Sequence, residues 1–239
     1  VIADSATARK LTHEHRAQQL LLRAATARQI ARLWPLLDGH RLDATYPRFA
    51  AQVSVTVRAN RATSAGLAAR YLRAHRVANG VRGAFTAVDA GPLAAQQFAT
   101  ALRVTTVVSV KSAAARGVLL DQSMADALVR ASGSMSRLVL DGGRDTITRT
   151  VAADPRASGW QRVVGGPSCD FCWMLADRGA VYSEATADFA AHDHCGCSVA
   201  PVYGDKGRSV RDYVPTSRSI SEADRARVRD WMDVHPRST

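Results

Sequence analysis

Along the first 34 residues the apolar and polar positions fall on a helical period. Residues 5–34 contain no Gly or Pro and are rich in Ala, Leu, Gln and Arg, residues that lose little freedom in a helix. Leu11, Leu22 and Leu33 recur every eleven residues, with His15, Gln18, Ala25 and Gln29 between them on a face only partly apolar. A face of that kind suits a helix that packs loosely or against a partner. Pro35 stops this helix, and Asp38-Gly39-His40 reads as a turn.

A second helix is expected over residues 46–78. Val53, Val55 and Val57 alternate with polar residues, as in a strand, but the Ala-rich flanks and the helical spacing of Leu67, Tyr71 and Ala74 favour the helix. Asn79-Gly80 and Gly83 mark a break. Gly91-Pro92 opens a third helix through Leu93, Phe98 and Leu102, because Pro is tolerated in a first helical turn. The β-branched run 104–110 fits either a strand or a continuation toward Ala115, and Gly117 ends the segment. Asp121 is expected to cap a helix through Ala131, and Ser134 or Ser136 to begin another through Leu138 and Leu140 to Asp141-Gly142-Gly143-Arg144.

After Asp154-Pro155 the pattern changes to short elements. A strand is expected at 159–164, a short helix at 170–177 closed by Gly179, a strand-like Val181-Tyr182, a helix from Ser183 through Ala191, and a last strand at 196–203. A polar tail follows, with a helix at 221–234 whose Trp231 docks on the body. The expected fold is mainly α: long N-terminal helices, then a small α+β module in which Cys169-x-x-Cys172 and His192-x-x-Cys195-x-Cys197 supply ligands for a zinc staple, and a short C-terminal helix. The expected division is a basic helical domain at 1–150, a Cys/His zinc-knuckle module at 151–203 and a polar tail at 204–239.

Charge sharpens that division. The net charge is +11, yet residues 1–150 carry 21 Lys+Arg against 9 Asp+Glu, whereas residues 151–239 carry 11 against 12. All the excess positive charge precedes the module. Of the 32 basic residues only Lys10, Lys111 and Lys206 are lysines, and the Ala/Arg-rich usage suggests a GC-rich genome, so part of the arginine excess is compositional. Arg9, Arg16 and Arg23 repeat every seven residues and line one side of the first helix. Arg58, Arg61, Arg70, Arg73 and Arg76 fall within about a third of the circumference of the second. A solvated face is the default for such a run, and an electrostatic surface for nucleic acid or an acidic protein is the sharper expectation.

The chemistry is concentrated in residues 165–201, which hold all four cysteines. Cys169 and Cys172 form a C-x-x-C pair, and His192, Cys195 and Cys197 follow as H-x-x-C-x-C. Zinc takes four such ligands in a tetrahedron, and two close pairs on separate turns supply them for the closure of one loop. Cys169, Cys172, His192 and Cys195 are the first choice of ligands, Cys197 can replace His192 or Cys195, and His194 is the spare. Reduced structural thiols rank second and disulfides third, since a disulfide framework belongs to small secreted domains and no secretory signal is seen. A catalytic metal ranks lower, because four protein ligands leave no open position. No apolar run reaches the length of a membrane span.

Several motifs together carry a family resemblance: Gly142-Gly143-Arg144, Asp154-Pro155-Arg156-Ala157-Ser158-Gly159-Trp160-Gln161-Arg162-Val163, the C-x-x-C pair, Arg178-Gly179-x-Val181-Tyr182, and His192-x-x-Cys195-x-Cys197 with Pro201. Over about residues 136–203 the chain resembles the MuF-type minor head proteins of tailed bacteriophages, in the version carried by phages and prophages of actinobacteria. Position 193 is Asp where many members have Pro. The resemblance implies a low-copy structural protein, not an enzyme, located in the virion inside the head near the portal, and in the host cytoplasm during assembly. The implied partners are the portal protein, capsid or scaffold proteins and packaged double-stranded DNA bound without sequence preference. The implied role is support of head assembly, DNA packaging or genome ejection.

Three functions are thus in play. A virion structural protein would use the eight arginines named above against DNA phosphates or the portal. A metal-dependent nuclease of the HNH type would use His192-Asp193-His194, but it lacks the following Asn/His pair. A zinc-stapled transcription factor would need a base-reading helix after a knuckle, where this chain has the apolar Trp173-Met174-Leu175-Ala176.

Overall fold

The computed structural model describes residues 5–165, 168–177, 189, 191–204, 222, 223, 226, 227 and 230. Helix α1 spans Ala6–Leu33 and ends in a 3-10 turn, Trp34–Leu36, that takes Pro35 into its first positions. Ser5 caps it by accepting a hydrogen bond from the Ala8 amide. The same hydroxyl donates to the carbonyl of Ala78, and the Ser5 amide donates to Asn79 Oδ1, so the start of α1 is tied to the end of the next helix.

That helix, α2, spans Leu42–Ala78. It begins ahead of the expected residue 46 and includes Pro47. The Val53-x-Val55-x-Val57 pattern is helical, with Val53 and Val57 fully buried one turn apart and Val55 68% exposed between them. The third helix, α3, covers Ala95–Arg103, so Pro92 stands in the extended approach and not in the first turn. A π-helical turn, Val104–Val108, joins it to α4, Ser109–Ala114. At that turn Thr105 and Thr106 donate their hydroxyls back to the carbonyls of Ala101 and Leu102 at 2.8 and 2.6 Å. Such side-chain bonds compete with the helical ladder, which accounts for the extra residue in the turn.

Helix α5, Leu120–Ala153, is continuous where two helices were expected. Neither the Ser134–Ser136 region nor Gly142-Gly143 interrupts it. The two glycines are there for contact: a Cβ at Gly142 would stand 2.5 Å from the backbone oxygen of Arg61, and one at Gly143 would stand 2.8 Å from Ser64 Oγ. Ser64 Oγ accepts from the Gly143 amide and donates to Gln19 Oε1, while Gln19 Nε2 donates to the Ser64 carbonyl. The three long helices therefore meet at one polar, glycine-permitted crossing. On one side of it lies a core built on Ile30, Phe49, Val57, Leu102, Met135 and Leu138.

The second core joins helices to sheet. Strand β1, Ala157–Val163, pairs antiparallel with β2, Ser198–Tyr203, in a register that sets Trp160 against Pro201 and Arg162 against Val199. Trp160 and Val199 pack with Ala68, Tyr71, Leu72, Ile147 and Val151 of α2 and α5. Helix α5 runs past residue 150, to Ala153. Helix α6 is Asp170–Asp177, as expected.

The architecture is mainly α, with long N-terminal helices and a small α+β module. Gly179, Val181-Tyr182 and most of the helix expected from Ser183 lie outside the described residues, and Phe189 and Ala191 are not helical. Trp231 and most of the tail also lie outside them; Glu222, Ala223, Ala226, Arg227 and Asp230 are helical. No helix among the described residues is long and apolar enough to cross a membrane.

Candidate metal centre

Two turns bring the cysteines together. Ahead of α6 the Ser168 amide donates to the Gly165 carbonyl, and the Trp173 amide donates to the Cys169 carbonyl, which places Cys169 and Cys172 on either side of the helix start. In the second turn the Cys195 amide donates to the His192 carbonyl, and His194 takes a left-handed φ of 64°. That residue reverses the chain so that Cys195 and Cys197 enter β2 facing the first pair.

The ligand atoms form two triads that share Cys172. Those of Cys169, Cys172 and His192 all lie within 4.8 Å of one another, as do those of Cys172, Cys195 and Cys197. Cys169 Sγ is 2.7 Å from His192 Nε2, and Cys172 Sγ is 3.3 Å from Cys195 Sγ and 3.6 Å from Cys197 Sγ. His194, the expected spare, belongs to neither triad. All four cysteines are free thiols. Cys172, Cys195 and Cys197 are buried, Cys169 is half-buried and His192 is exposed.

The donor set fits a metal ion. His192 is held with Nδ1 2.7 Å from the carbonyl oxygen of Asp193, an arrangement in which Nδ1–H donates and Nε2 keeps its lone pair toward the sulfurs. Metal-binding histidines adopt this tautomer. The Asp193 carbonyl raises the His192 pKa, with Cys169 adding to the effect against burial. Burial opposes ionisation of Cys169, but its contacts with His192 and Cys172 lower its pKa overall. Cys197 is held far below the ordinary thiol range by hydrogen bonds from Cys172 and Cys195 and by the charges of Arg144 and Arg162. Cys172, hydrogen-bonded with Cys195 and Cys197 and buried, is pushed up in turn.

Around the sulfurs stand arginines from three elements. Arg162 of β1 puts Nη1 3.0 Å from Cys197 Sγ. Arg144 of α5 donates to the carbonyls of Cys195 and Cys197 at 3.4 and 2.9 Å and pairs with Asp141 at 2.8 Å. Burial alone would weaken its charge, and Asp141 with the thiols of Cys197 and Cys195 more than offsets that. The Phe189 ring lies under both guanidiniums, 3.9 Å from Arg162 and 5.1 Å from Arg144. From α1, Arg23 donates to the His194 carbonyl at 2.9 Å. The guanidinium of Arg16 fills the space beside Gly165, where a Cβ would meet it at 2.6 Å. Burial lowers the Arg16 pKa, opposed by Cys197 and Cys195. Arg137 of α5 pairs with Asp193 at 2.8 Å.

The eight arginines expected on open faces therefore divide. Arg9, Arg58, Arg70 and Arg73 are exposed. Arg16 and Arg23 turn instead toward the metal loop. Arg61 and Arg76 are buried at 8% and 4% exposure, because each has an acidic partner on the facing helix. Arg61 donates to the Leu138 carbonyl and pairs with Asp145, and Arg76 pairs with Asp154. Sequence reasoning missed Arg137, Arg144, Arg162 and Phe189. The signal for Arg162 was strand alternation, since it shares the inward face of Trp160.

The model of the VG15 protein family matches residues 6–219, which takes in the long helices, the sheet and all five candidate ligands. The chain belongs to the VG15 protein family. VG15 is a phage-encoded family. No curated protein matches the chain, and no solved structure does either.

Proposed function

We propose that this VG15 protein is a minor head protein of a tailed phage, of the MuF type carried by actinobacteriophages. It sits inside the capsid near the portal and supports head assembly, DNA packaging or genome ejection. The observation that carries this reading is the family match over residues 6–219 together with the reduced Cys/His cluster inside it. The exposed Arg9, Arg58, Arg70 and Arg73 meet the portal, capsid or scaffold proteins, or the phosphates of packaged double-stranded DNA, where binding needs charge and no base reading.

The metal in this reading is one structural zinc per chain, held by four of Cys169, Cys172, His192, Cys195 and Cys197. When bound it neutralises thiolate charge and cross-links the two turns. The chain's own residues hold the cluster against the helices: Arg144 and Arg23 grip the backbone of the second turn, and Arg137 grips Asp193. A structural role is favoured over an HNH-type nuclease because Asp193 is engaged by Arg137 and the His194 ring lies against α5 at Gly133.

The test is quantitative mass spectrometry of purified virions from a phage that encodes the chain. Peptides of the chain at a few copies per portal, and loss of infectivity on deletion, are the expected result. A chain made in the infected cell and missing from virions, or magnesium-dependent DNA cleavage by the purified protein that is lost in His194→Ala, would overturn it.

A further inference from the structure

Arg162 is an unusual residue to find in the inward face of a two-stranded sheet. It is only 6% exposed, it sits opposite Val199 in the strand pairing, and its strand neighbour on the same face, Trp160, is part of the apolar core. A guanidinium stays charged at any working pH, and its burial is costly unless a negative group stands against it. Two sulfurs are among the groups that face it: Nη1 is 3.0 Å from Cys197 Sγ and 3.9 Å from Cys172 Sγ. Cys172 is the thiol common to both ligand triads, so one guanidinium nitrogen reaches the hinge of the whole cluster.

The orientation of Arg162 is fixed from the other side. Its guanidinium lies 3.9 Å from the centroid of Phe189, three residues ahead of His192, so the ring and the cluster grip it between them. A cation held over an aromatic face in a water-poor site gains from the ring quadrupole and loses little further freedom when it hydrogen-bonds. A guanidinium held there keeps the Cys197 sulfur turned into the cluster and sets a positive charge beside the negative charge that a sulfur-ligated cation site carries.

We infer that Arg162 is the positioning residue of the metal centre, its guanidinium donating to Cys197 and Cys172 and thereby raising the affinity of the cluster for a thiophilic divalent cation. This rests on the reading of the cluster as a zinc site. It adds a residue that is not a ligand and that makes the sulfur cluster bind more tightly than its thiols would alone. Groups of this kind, in contact with ligands but not with the metal, change metal affinity by about 10- to 100-fold when removed.

The experiment is competition for Zn²⁺ between the full-length protein and a chromophoric chelator, on wild type, Arg162→Gln, Arg162→Lys and Phe189→Leu. Cobalt substitution follows the thiolate-to-metal absorption of each. The expected result is affinity lowered about 10- to 100-fold in Arg162→Gln, recovery of most of it in Arg162→Lys, and a smaller loss in Phe189→Leu, with the cobalt spectrum keeping the same ligand count. Arg162→Lys and Phe189→Leu keep a cation in the sheet, so they report even if Arg162→Gln fails to fold. Arg162→Gln binding zinc as tightly as wild type, or Arg162→Lys binding as weakly as Arg162→Gln, overturns the role given to Arg162 and leaves the zinc site standing. Wild type that binds no zinc overturns the zinc site itself.

Discussion

The imidazole of His194 stands against Gly133 of α5, where a Cβ would come within 2.3 Å of Nε2. The left-handed backbone at His194, which turns Cys195 and Cys197 toward the first cysteine pair, thus docks on a helix position without a side chain. The comparison with Gly142 separates two kinds of close contact. The His194 ring is the movable end of an exposed side chain, whereas Gly142 faces the backbone oxygen of Arg61. Gly133→Ala is expected to change stability by less than about 1 kcal/mol, since Ala's helix preference of about that size offsets the displaced ring. Gly142→Ala is expected to cost about 2–4 kcal/mol, because two helices must separate. Urea unfolding of both variants, and of Gly133→Ala with His194→Ala, measures the difference.

The buried pair of Arg76 and Asp154 joins the last turns of α2 and α5, with side chains 5% and 7% exposed. Arg76 also stacks its guanidinium near Phe85 and Tyr203, which carries the pairing into β2. Asp154→Ala leaves that charge buried without its carboxylate and is expected to cost about 3–5 kcal/mol in chemical denaturation. Arg76→Met with Asp154→Leu is expected to recover much of the loss, since an apolar pair of similar volume avoids the desolvation.

His15 is stacked on Tyr71 with ring centroids 4.5 Å apart and is 3% exposed. Burial lowers its pKa from 6.5 to about 4. The unfolded chain therefore takes up this proton first, so the stabilisation is complete above about pH 6.5 and is lost as pH falls toward 4. The total is about 3 kcal/mol, from a shift of roughly 2.5 units at 1.36 kcal/mol each. His15→Phe, which keeps the stack, is expected to remove this component. Unfolding free energies at pH 7 and pH 4.5 on both proteins check it.

Proposed DNA binding is separable from folding, because the exposed and buried arginines are different residues. Arg58→Gln, Arg70→Gln and Arg73→Gln together are expected to leave stability within about 0.5 kcal/mol of wild type. The same triple variant should flatten the slope of log affinity against log salt by about 3 if each contacts a phosphate. Fluorescence anisotropy with duplex DNA over a salt series reads this. An unchanged slope would point these residues to a protein partner.

Elements governed by local sequence were legible. The first helix was expected from 5 to 34 and α1 is Ala6–Leu33; α6 falls where its apolar Trp173-Met174-Leu175 run was placed. The cysteine spacing pointed to one site with Cys169, Cys172, His192 and Cys195 as first choice, and the structure groups the five residues as two triads that share Cys172, with Cys195 beside Cys197. What was not legible depended on neighbours distant in sequence. Gly142-Gly143 reads as a break unless α2 is known to lie against it. Four of the eight arginines, Arg16, Arg23, Arg61 and Arg76, turn away from open solvent for the same reason. Helical spacing gives the angle of Arg61 and Arg76 about the α2 axis, but only the tertiary fold supplies Asp145 and Asp154. Arg16 and Arg23 likewise lie on a charged stripe whose partner, the turn at His194 and Gly196, is more than 160 residues away.

The contacts of Arg23, Arg137 and Arg144 with the second cysteine turn tie the cluster to α1 and α5, so metal binding should stabilise the whole fold and not the module alone. The most direct test is elemental analysis of purified wild type and Cys172→Ser, with thermal unfolding followed by helical circular dichroism before and after chelation. Cys172 is the right target because both triads contain it. The account predicts one zinc per wild-type chain, little in the variant, and a single helical transition that moves to lower temperature when the metal is removed. Wild-type protein that carries no metal, with four titratable thiols and a transition indifferent to the chelator, would contradict it.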